Sequence, residues 1–111
     1  MTIHLRKTVK IILKNINIPK KVLEIGSRQG KNQRQLANLR SLFNNKSKYI
    51  GIDIRRGAGV DKVVNGEKLP FKNNSFDLVF CLETLEHTEK PWVIAKEIER
   101  VTSPNGMIII S

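Results

Sequence analysis

Apolar positions along this chain alternate between two spacings, one typical of amphipathic helices and one typical of buried strands. Residues 4–16 place apolar side chains three or four positions apart, which predicts a helix that Pro19 ends. The same spacing recurs over residues 32–43 and again after Thr88, which we expect to cap a third helix. Short apolar runs between the helices predict five strands, at residues 21–25, 49–54, 60–64, 76–81 and 107–110.

The third helix is expected to bury one apolar face against a sheet. The residues assigned to this face are Trp92, Ile94, Ala95, Ile98 and Val101. Residues 103–106, with the sequence Ser-Pro-Asn-Gly, are expected to form a turn before the last strand. Strands that alternate with helices predict an α/β fold, an open and mainly parallel sheet with helices on both faces. Ligands of such sheets bind beyond the carboxyl ends of the strands.

Two acidic residues stand at that edge of the predicted sheet. Glu24 precedes a loop over residues 26–30, whose glycines let the backbone approach a ligand closely. The carboxylate of Glu24 would repel the pyrophosphate of a dinucleotide by up to about 4 kcal/mol, but it suits a ligand that carries an ammonium group and a sulfonium. Asp53 ends the second strand, where a carboxylate can accept hydrogen bonds from both hydroxyls of a ribose. A nicotinamide-dependent oxidoreductase is therefore disfavoured, while a plain turn at either acid remains the alternative.

Five segments resemble, in order, the motifs of class I S-adenosylmethionine-dependent methyltransferases. They are residues 23–26, 51–53, 65–71, 74–79 and 85–87. The turn at residues 103–106 is similar to the Pro-Gly turn before the family's fifth strand. The resemblance covers about residues 20–111 and implies a Rossmann-like fold, S-adenosyl-L-methionine as cofactor, and methyl transfer to an unidentified acceptor, for which a small molecule is favoured.

The resemblance also implies which residues bind the cofactor: Glu24, Gly26, Ser27, Gly30, Asp53, Ile54, Asn65, Gly66, Cys81, Leu82 and Glu83. Glu24 would contact the methionine moiety, Asp53 would hold the ribose and Ile54 would pack on the adenine. Two residues depart from the family pattern. Arg28 stands at the middle position of the usual Gly-x-Gly-x-Gly loop, and its side chain is expected to point outward at some cost in affinity. Asn65 replaces a frequent aspartate and keeps an amide oxygen toward the adenine amine.

The Glu-x-x-Glu-His run at residues 83–87 leaves two interpretations open. His87 is the candidate general base, because an ordinary histidine titrates near neutral pH. Similar sequences include metal-assisted RNA 2′-O-methyltransferases, in which such a run holds magnesium. We predict no metal here, since the only other histidine, His4, precedes the whole fold. Cys81 is interpreted as a small buried strand residue rather than a nucleophile.

Charge is divided unevenly between the two halves of the chain. Residues 1–62 carry a net charge of +12 and residues 63–111 carry −2. A basic half can bind nucleic acid, but its only aromatic residues, Phe43 and Tyr49, are assigned to the core. We therefore predict a solvated surface and keep an RNA methyltransferase fragment as an alternative. One cysteine and no apolar run near the ~20 residues of a membrane span indicate a cytoplasmic protein without membrane contact.

The 111 residues are expected to form one domain, with an N-terminal helix in residues 1–19 and a cofactor-binding core in residues 20–111. The family's sheet has seven strands, so this chain is expected to be the N-terminal part of the domain. Its fifth strand would be an open edge at which the chain could self-associate. We expect poor turnover from this chain, and a cofactor-binding or interaction module without turnover of its own is the alternative function.

Overall fold

The computed structural model describes residues 3–30 and 39–111. Helices and strands follow one another there as α1 (Ile3–Lys14), β1 (Lys21–Ile25), β2 (Lys48–Asp53), β3 (Lys62–Val63), β4 (Phe76–Cys81), α2 (Pro91–Val101) and β5 (Thr102–Ile110). Most of the helix predicted over residues 32–43 lies outside the described residues. In the part that is described, Arg40–Leu42 form a single turn of 3₁₀ helix.

The strands form one parallel sheet with the order β3-β2-β1-β4-β5. β1 lies at the centre, with β2 on one side and β4 on the other, so the strand order changes direction there. Loops that leave β1 and β4 diverge at such a point and open a crevice at the carboxyl ends of the strands. The structure thus confirms the predicted open parallel α/β sheet.

Each face of the sheet carries its own apolar cluster, because successive side chains of a strand point to opposite faces. Leu23 and Ile25 of β1 pack on one face with Ile94 and Ile98 of α2. Val22 packs on the other face in a cluster that includes Val9 of α1. The two clusters bury β1 on both sides, which explains its nearly continuous apolar sequence. Each fully buried aliphatic side chain contributes roughly 1.5–3 kcal/mol to this packing.

The beginning of α2 differs from the prediction. Thr88 does not cap this helix; it ends a short 3₁₀ helix, Leu85–His87, and its hydroxyl donates to the Leu85 carbonyl at 3.0 Å. α2 begins at Pro91, a residue favoured in the first helical turn because it lacks an N–H group.

Two of the residues assigned to the buried face of α2 are exposed. Ile94, Ile98 and Val101 are buried as predicted, whereas Trp92 is 62% exposed and Ala95 is also exposed. Trp92 lies two positions before Ile94, which corresponds to a rotation of about 200° around the helix. The helical period therefore turns the indole away from the face that contacts the sheet.

The turn predicted at residues 103–106 is part of β5 and forms a bulge in it. Thr102 pairs with Phe76 and Met107 pairs with Leu78, so the intervening residues of β5 loop out of the ladder. The Thr102 hydroxyl donates to the Ile98 carbonyl at 2.6 Å, which joins the end of α2 directly to the strand. No helix in the described part of the chain is long and apolar enough to cross a bilayer.

Candidate functional site

A cavity of about 650 Å³ opens at the carboxyl ends of β1, β2 and β4. This volume lies within the range of pockets that bind small ligands and cofactors. Most of the residues predicted from the sequence to form the site line this cavity: Gly26, Asp53, Ile54, Asn65, Gly66, Leu82, Glu83 and His87. The cavity is therefore where the topology of the sheet predicts a ligand.

Gly26 allows the loops after β1 and β4 to touch beside the cavity. Its φ is +78°, and a Cβ at this position would lie 2.1 Å from Oγ1 of Thr84. Only glycine adopts this backbone conformation without strain and leaves room for the threonine. The Thr84 hydroxyl donates to the Leu82 carbonyl at 3.0 Å. Thr84 also lines the cavity, and the sequence analysis missed it because no charge or motif position marks it.

Asp53 presents a carboxylate that two loops hold in place. Its Oδ2 accepts the backbone N–H of Arg28 at 3.1 Å, and its Oδ1 accepts the backbone N–H of Arg55 at 3.0 Å. A carboxylate offers about four lone-pair positions, so each oxygen keeps one position for a ligand. The carboxylate is thus oriented by backbone and still able to accept two further hydrogen bonds.

The residues after Asp53 form an apolar and amide-lined end of the cavity. The side chain of Ile54 is 67% exposed although it is aliphatic. Asn65 uses its side-chain oxygen to accept the backbone N–H of Glu67 at 2.9 Å, which shapes the turn after β3. A Cβ on Gly66 would lie 3.6 Å from the side chains of Ile25 and Ile94, an ordinary packing distance. Gly66 thus packs directly on the core beneath the cavity.

Glu83 adopts a backbone conformation that is uncommon for a residue with a side chain. Its φ is +54°, and its N–H donates to the Ser111 hydroxyl at 3.0 Å. Residues held in the left-handed region cost roughly 1–3 kcal/mol and concentrate at functional sites. The strain lies on the loop after β4, where the family resemblance places the methionine end of a cofactor.

His87 lines the cavity from an exposed position. Its side chain is 76% exposed, and its Nε2 lies 3.5 Å from Oε1 of Glu86. The imidazole is therefore accessible to a ligand that enters from solvent. Within residues 3–30 and 39–111, no three His, Cys, Asp or Glu side chains converge to form a metal site.

Glu24 is not part of the cavity wall. Its Oε1 accepts the hydroxyl of Tyr49 at 2.6 Å. Burial raises the pKa of Glu24 above its ordinary value, while the Tyr49 hydrogen bond and the positive charge of Arg40 oppose this rise. Burial and the neighbouring carboxylate raise the pKa of Tyr49 as well, so the tyrosine remains the donor. The sequence indicated a core position for Tyr49 but not the hydrogen bond that it donates to Glu24.

Three other residues predicted to bind the cofactor also stand apart from the cavity wall. Ser27 is buried, and among the described residues its hydroxyl has no hydrogen-bond partner. It packs against Gly51, where a Cβ would lie 2.7 Å from the Ser27 oxygen. Gly30 is exposed at the end of the described loop. Cys81 is fully buried, and burial raises the pKa of its thiol to about 11, which makes it unreactive at neutral pH.

Arg28 lines the cavity beside Asp53 and is exposed, as expected of a side chain that points outward. The side chain lies along the loop between β2 and β3. A Cβ on Gly57 would lie 2.8 Å from Nε of Arg28, and this Nε donates to the Arg56 carbonyl at 3.3 Å. The arginine is accommodated because the facing loop has a glycine at the point of contact.

Comparison with known proteins identifies similar sequences and folds. The family model described as a methyltransferase domain matches residues 23–110. The cycloartenol-C-24-methyltransferase of Arabidopsis thaliana is 36% identical over 95 residues, which cover 76% of this chain and 28% of that protein. The tRNA U34 carboxymethyltransferase of Nautilia profundicola is 28% identical over 111 residues, which cover 90% of this chain and 37% of that protein.

The fold is also similar to a solved structure, that of a SAM-dependent methyltransferase from Aquifex aeolicus. The TM-score is 0.68 at 18% identity, and the match covers 99% of this chain and 72% of that one. At an identity this low, the match shows a common fold and nothing beyond it. The chain spans only 28% and 37% of the length of the two curated relatives described above. It spans 18% of a third, an uncharacterized methyltransferase of Mycobacterium tuberculosis.

Proposed function

This chain belongs to the methyltransferase-domain family, whose cofactor is S-adenosylmethionine, and from this premise we propose that the cavity binds S-adenosylmethionine for methyl transfer to a small-molecule acceptor. When bound, the cofactor supplies an activated methyl group on a sulfonium sulfur. The protein's own contribution is to bind the cofactor, to orient it and to position the acceptor.

The observation that carries the proposal is the geometry of Asp53. Its two oxygens are fixed by the N–H groups of Arg28 and Arg55 and retain one acceptor position each. A ribose presents two adjacent hydroxyl donors, which match these two positions. A carboxylate so placed would attract a free diol and repel a phosphate attached to it, so the two acceptor positions fit an adenosine whose 2′ and 3′ hydroxyls are unmodified.

The remaining walls of the cavity fit the two ends of the same cofactor. The exposed aliphatic side chain of Ile54 offers a flat apolar surface for an adenine ring. The side-chain oxygen of Asn65 accepts the Glu67 N–H and keeps a second lone pair for the adenine amine, while its NH₂ group can donate to an adenine nitrogen. At the other end, the carboxylate of Glu83 suits the ammonium group of the methionine moiety.

His87 is the residue in this cavity whose chemistry suits proton transfer from an acceptor. It is exposed at the cavity wall on the same side as Glu83. A neutral imidazole can accept a proton near physiological pH. We propose His87 as the general base for an acceptor hydroxyl or amine.

A small acceptor is supported by the composition of the cavity and by the scarcity of aromatic residues in the basic half. Phe43 and Tyr49 contact each other, with ring centroids 5.4 Å apart, and both are partly buried. They do not form an exposed platform for stacking bases. An RNA acceptor is the second candidate, supported by the likeness to a tRNA-modifying relative over 90% of the chain and by the charge of +12 on residues 1–62.

We also propose that the edge of β5 pairs with a second copy of the chain. β5 is the outer strand of the described sheet, and Ile108 and Ile110 are 39% and 46% exposed. An apolar edge strand favours such pairing.

The single cysteine, Cys81, supports a reducing compartment such as the cytoplasm.

The direct test is calorimetric titration with S-adenosylhomocysteine, with NAD as the comparison ligand. Binding of S-adenosylhomocysteine and absence of NAD binding is the expected result. A tritiated-methyl transfer assay against a small-molecule extract and against RNA then distinguishes the two acceptor classes. Preference for NAD, or no binding of S-adenosylhomocysteine by folded protein, would refute the proposal.

A further inference from the structure

Arg28 is fixed between the carboxylate of Asp53 and the loop between β2 and β3. Its backbone N–H donates to Oδ2 of Asp53 at 3.1 Å, and its Nε donates to the Arg56 carbonyl at 3.3 Å. The aliphatic stem lies flat on Gly57, where a Cβ would lie 3.1 Å from Cγ and 3.2 Å from Cδ of the arginine. Both the backbone and the side chain of Arg28 are thus held beside the proposed ribose position.

The two loops that hold Arg28 also contact each other directly through their backbones. The N–H of Gln29 donates to the Ala58 carbonyl at 2.9 Å. Gly59 has a φ of +86°, and a Cβ there would lie 2.6 Å from the Ser27 carbonyl oxygen. Contacts this close leave the loops little freedom to separate. The backbone that carries Arg28 and the loop on which its exposed stem packs are therefore held together.

We propose that Arg28 is a specificity-determining residue, which closes the cavity beside Asp53 and excludes ligands that carry a bulky group on the ribose hydroxyls. This inference rests on the proposed binding of S-adenosylmethionine. The Asp53 oxygens are flanked by Arg28 on one side and by Arg55 on the other. A group attached to a ribose hydroxyl that is bound at Oδ2 would have to occupy the space that the Arg28 stem fills.

The loop sequence explains how an arginine can stand where the family resemblance leads one to expect a glycine. A side chain at position 57 would collide with the Arg28 stem, and glycine is the residue found there. Arg28 and Gly57 therefore act as a pair, since the bulk added in one loop is matched by bulk absent from the other.

The test compares S-adenosylhomocysteine with its 2′/3′-O-anthraniloyl derivative in the wild-type protein and in two variants. Arg28→Ala removes the stem, whereas Arg28→Met keeps its length and apolar surface. The measured quantity is the ratio of the two dissociation constants, since specificity is a difference of affinities. We expect the derivative to bind at least about tenfold more weakly than S-adenosylhomocysteine to wild type and to Arg28→Met, and this ratio to fall at least about threefold in Arg28→Ala. The ester removes one hydroxyl donor to Asp53 in every variant, so part of the ratio remains.

A second variant tests the same pairing from the facing loop. Gly57→Ala is expected to displace the arginine and lower the ratio in the wild-type background, but to have no further effect in Arg28→Ala. A ratio that is unchanged in Arg28→Ala, or that falls in Arg28→Met as far as in Arg28→Ala, would overturn the inference while leaving the proposed cofactor in place. Failure of the folded wild type to bind S-adenosylhomocysteine would instead overturn the proposed function and this inference with it.

Discussion

Replacing Asp53 by alanine removes the acceptor on which the cofactor proposal depends. Two hydrogen bonds from the ribose hydroxyls to a charged group would be lost, and bonds of this kind contribute about 1.5–3 kcal/mol each when fully formed. Asp53 is partly exposed, so water compensates for part of the loss. We expect a total of about 1.5–3 kcal/mol, which is a rise of roughly 10- to 150-fold in the dissociation constant of S-adenosylhomocysteine.

The same substitution also frees the backbone N–H groups of Arg28 and Arg55, so a loss of fold stability must be separated from a loss of affinity. Asp77→Ala is the matched control, because Oδ2 of Asp77 accepts the backbone N–H groups of Lys20 and Lys21, both at 3.0 Å. That carboxylate lies at the amino end of the sheet, away from the cavity.

Isothermal titration measures affinity for both variants, and urea denaturation measures their stability. We expect both to lose some free energy of unfolding and only Asp53→Ala to lose affinity. An unchanged dissociation constant in Asp53→Ala would remove this residue from the site. An equal loss of affinity in both variants would show that the effect comes from stability alone.

Three further predictions concern the residues around the site. Gly26→Ala should lower the free energy of unfolding by about 1–2 kcal/mol from its positive φ alone, and further through contact with Thr84. Adding Thr84→Ala should recover only the part of the loss that this steric contact causes. Urea denaturation of the single and double variants measures both parts. Burial raises the pKa of Glu24 above 4.5, so its favourable contribution to stability is present below pH 4.5 and is lost as the pH rises through the raised pKa. Glu24→Gln should therefore become more stable relative to wild type as the pH rises. A difference in free energy of unfolding that stays constant across a pH series would contradict this. Ile108→Lys should reduce self-association through β5 in light scattering, whereas Ile11→Lys on the exposed side of α1 should not.

The positions of strands and of the chemically distinctive residues could be predicted from the sequence because both are local properties. β1 and β4 are apolar on both faces, and this composition is typical of parallel strands wherever they stand in the order. Asp53 ends β2 and Asn65 lies two residues after β3, so the rule that ligands bind at the carboxyl ends of strands was enough to place them beside the cavity.

Most departures arise where a side chain's environment depends on a distant segment. Trp92 is the exception, because the helical period alone turns it away from the sheet. Glu24 stands apart from the cavity wall because position 24 of β1 points to the face on which Tyr49 of the neighbouring strand offers its hydroxyl. The expected turn at residues 103–106 became a bulge because β4 continues alongside and pairs with the residues on both sides of it.

The class of the fold, the family and the edge of the sheet at which the cavity opens could be predicted from the residues in order, because composition and spacing are carried by neighbouring residues. The conformation of Arg28 could not, since it depends on Gly57, a residue that lies 29 positions further along the chain. The same holds for the orientation of Asp53, whose two N–H donors come from different loops. Contacts between segments from distant parts of the chain have no local signature, and these contacts shape the wall of the cavity.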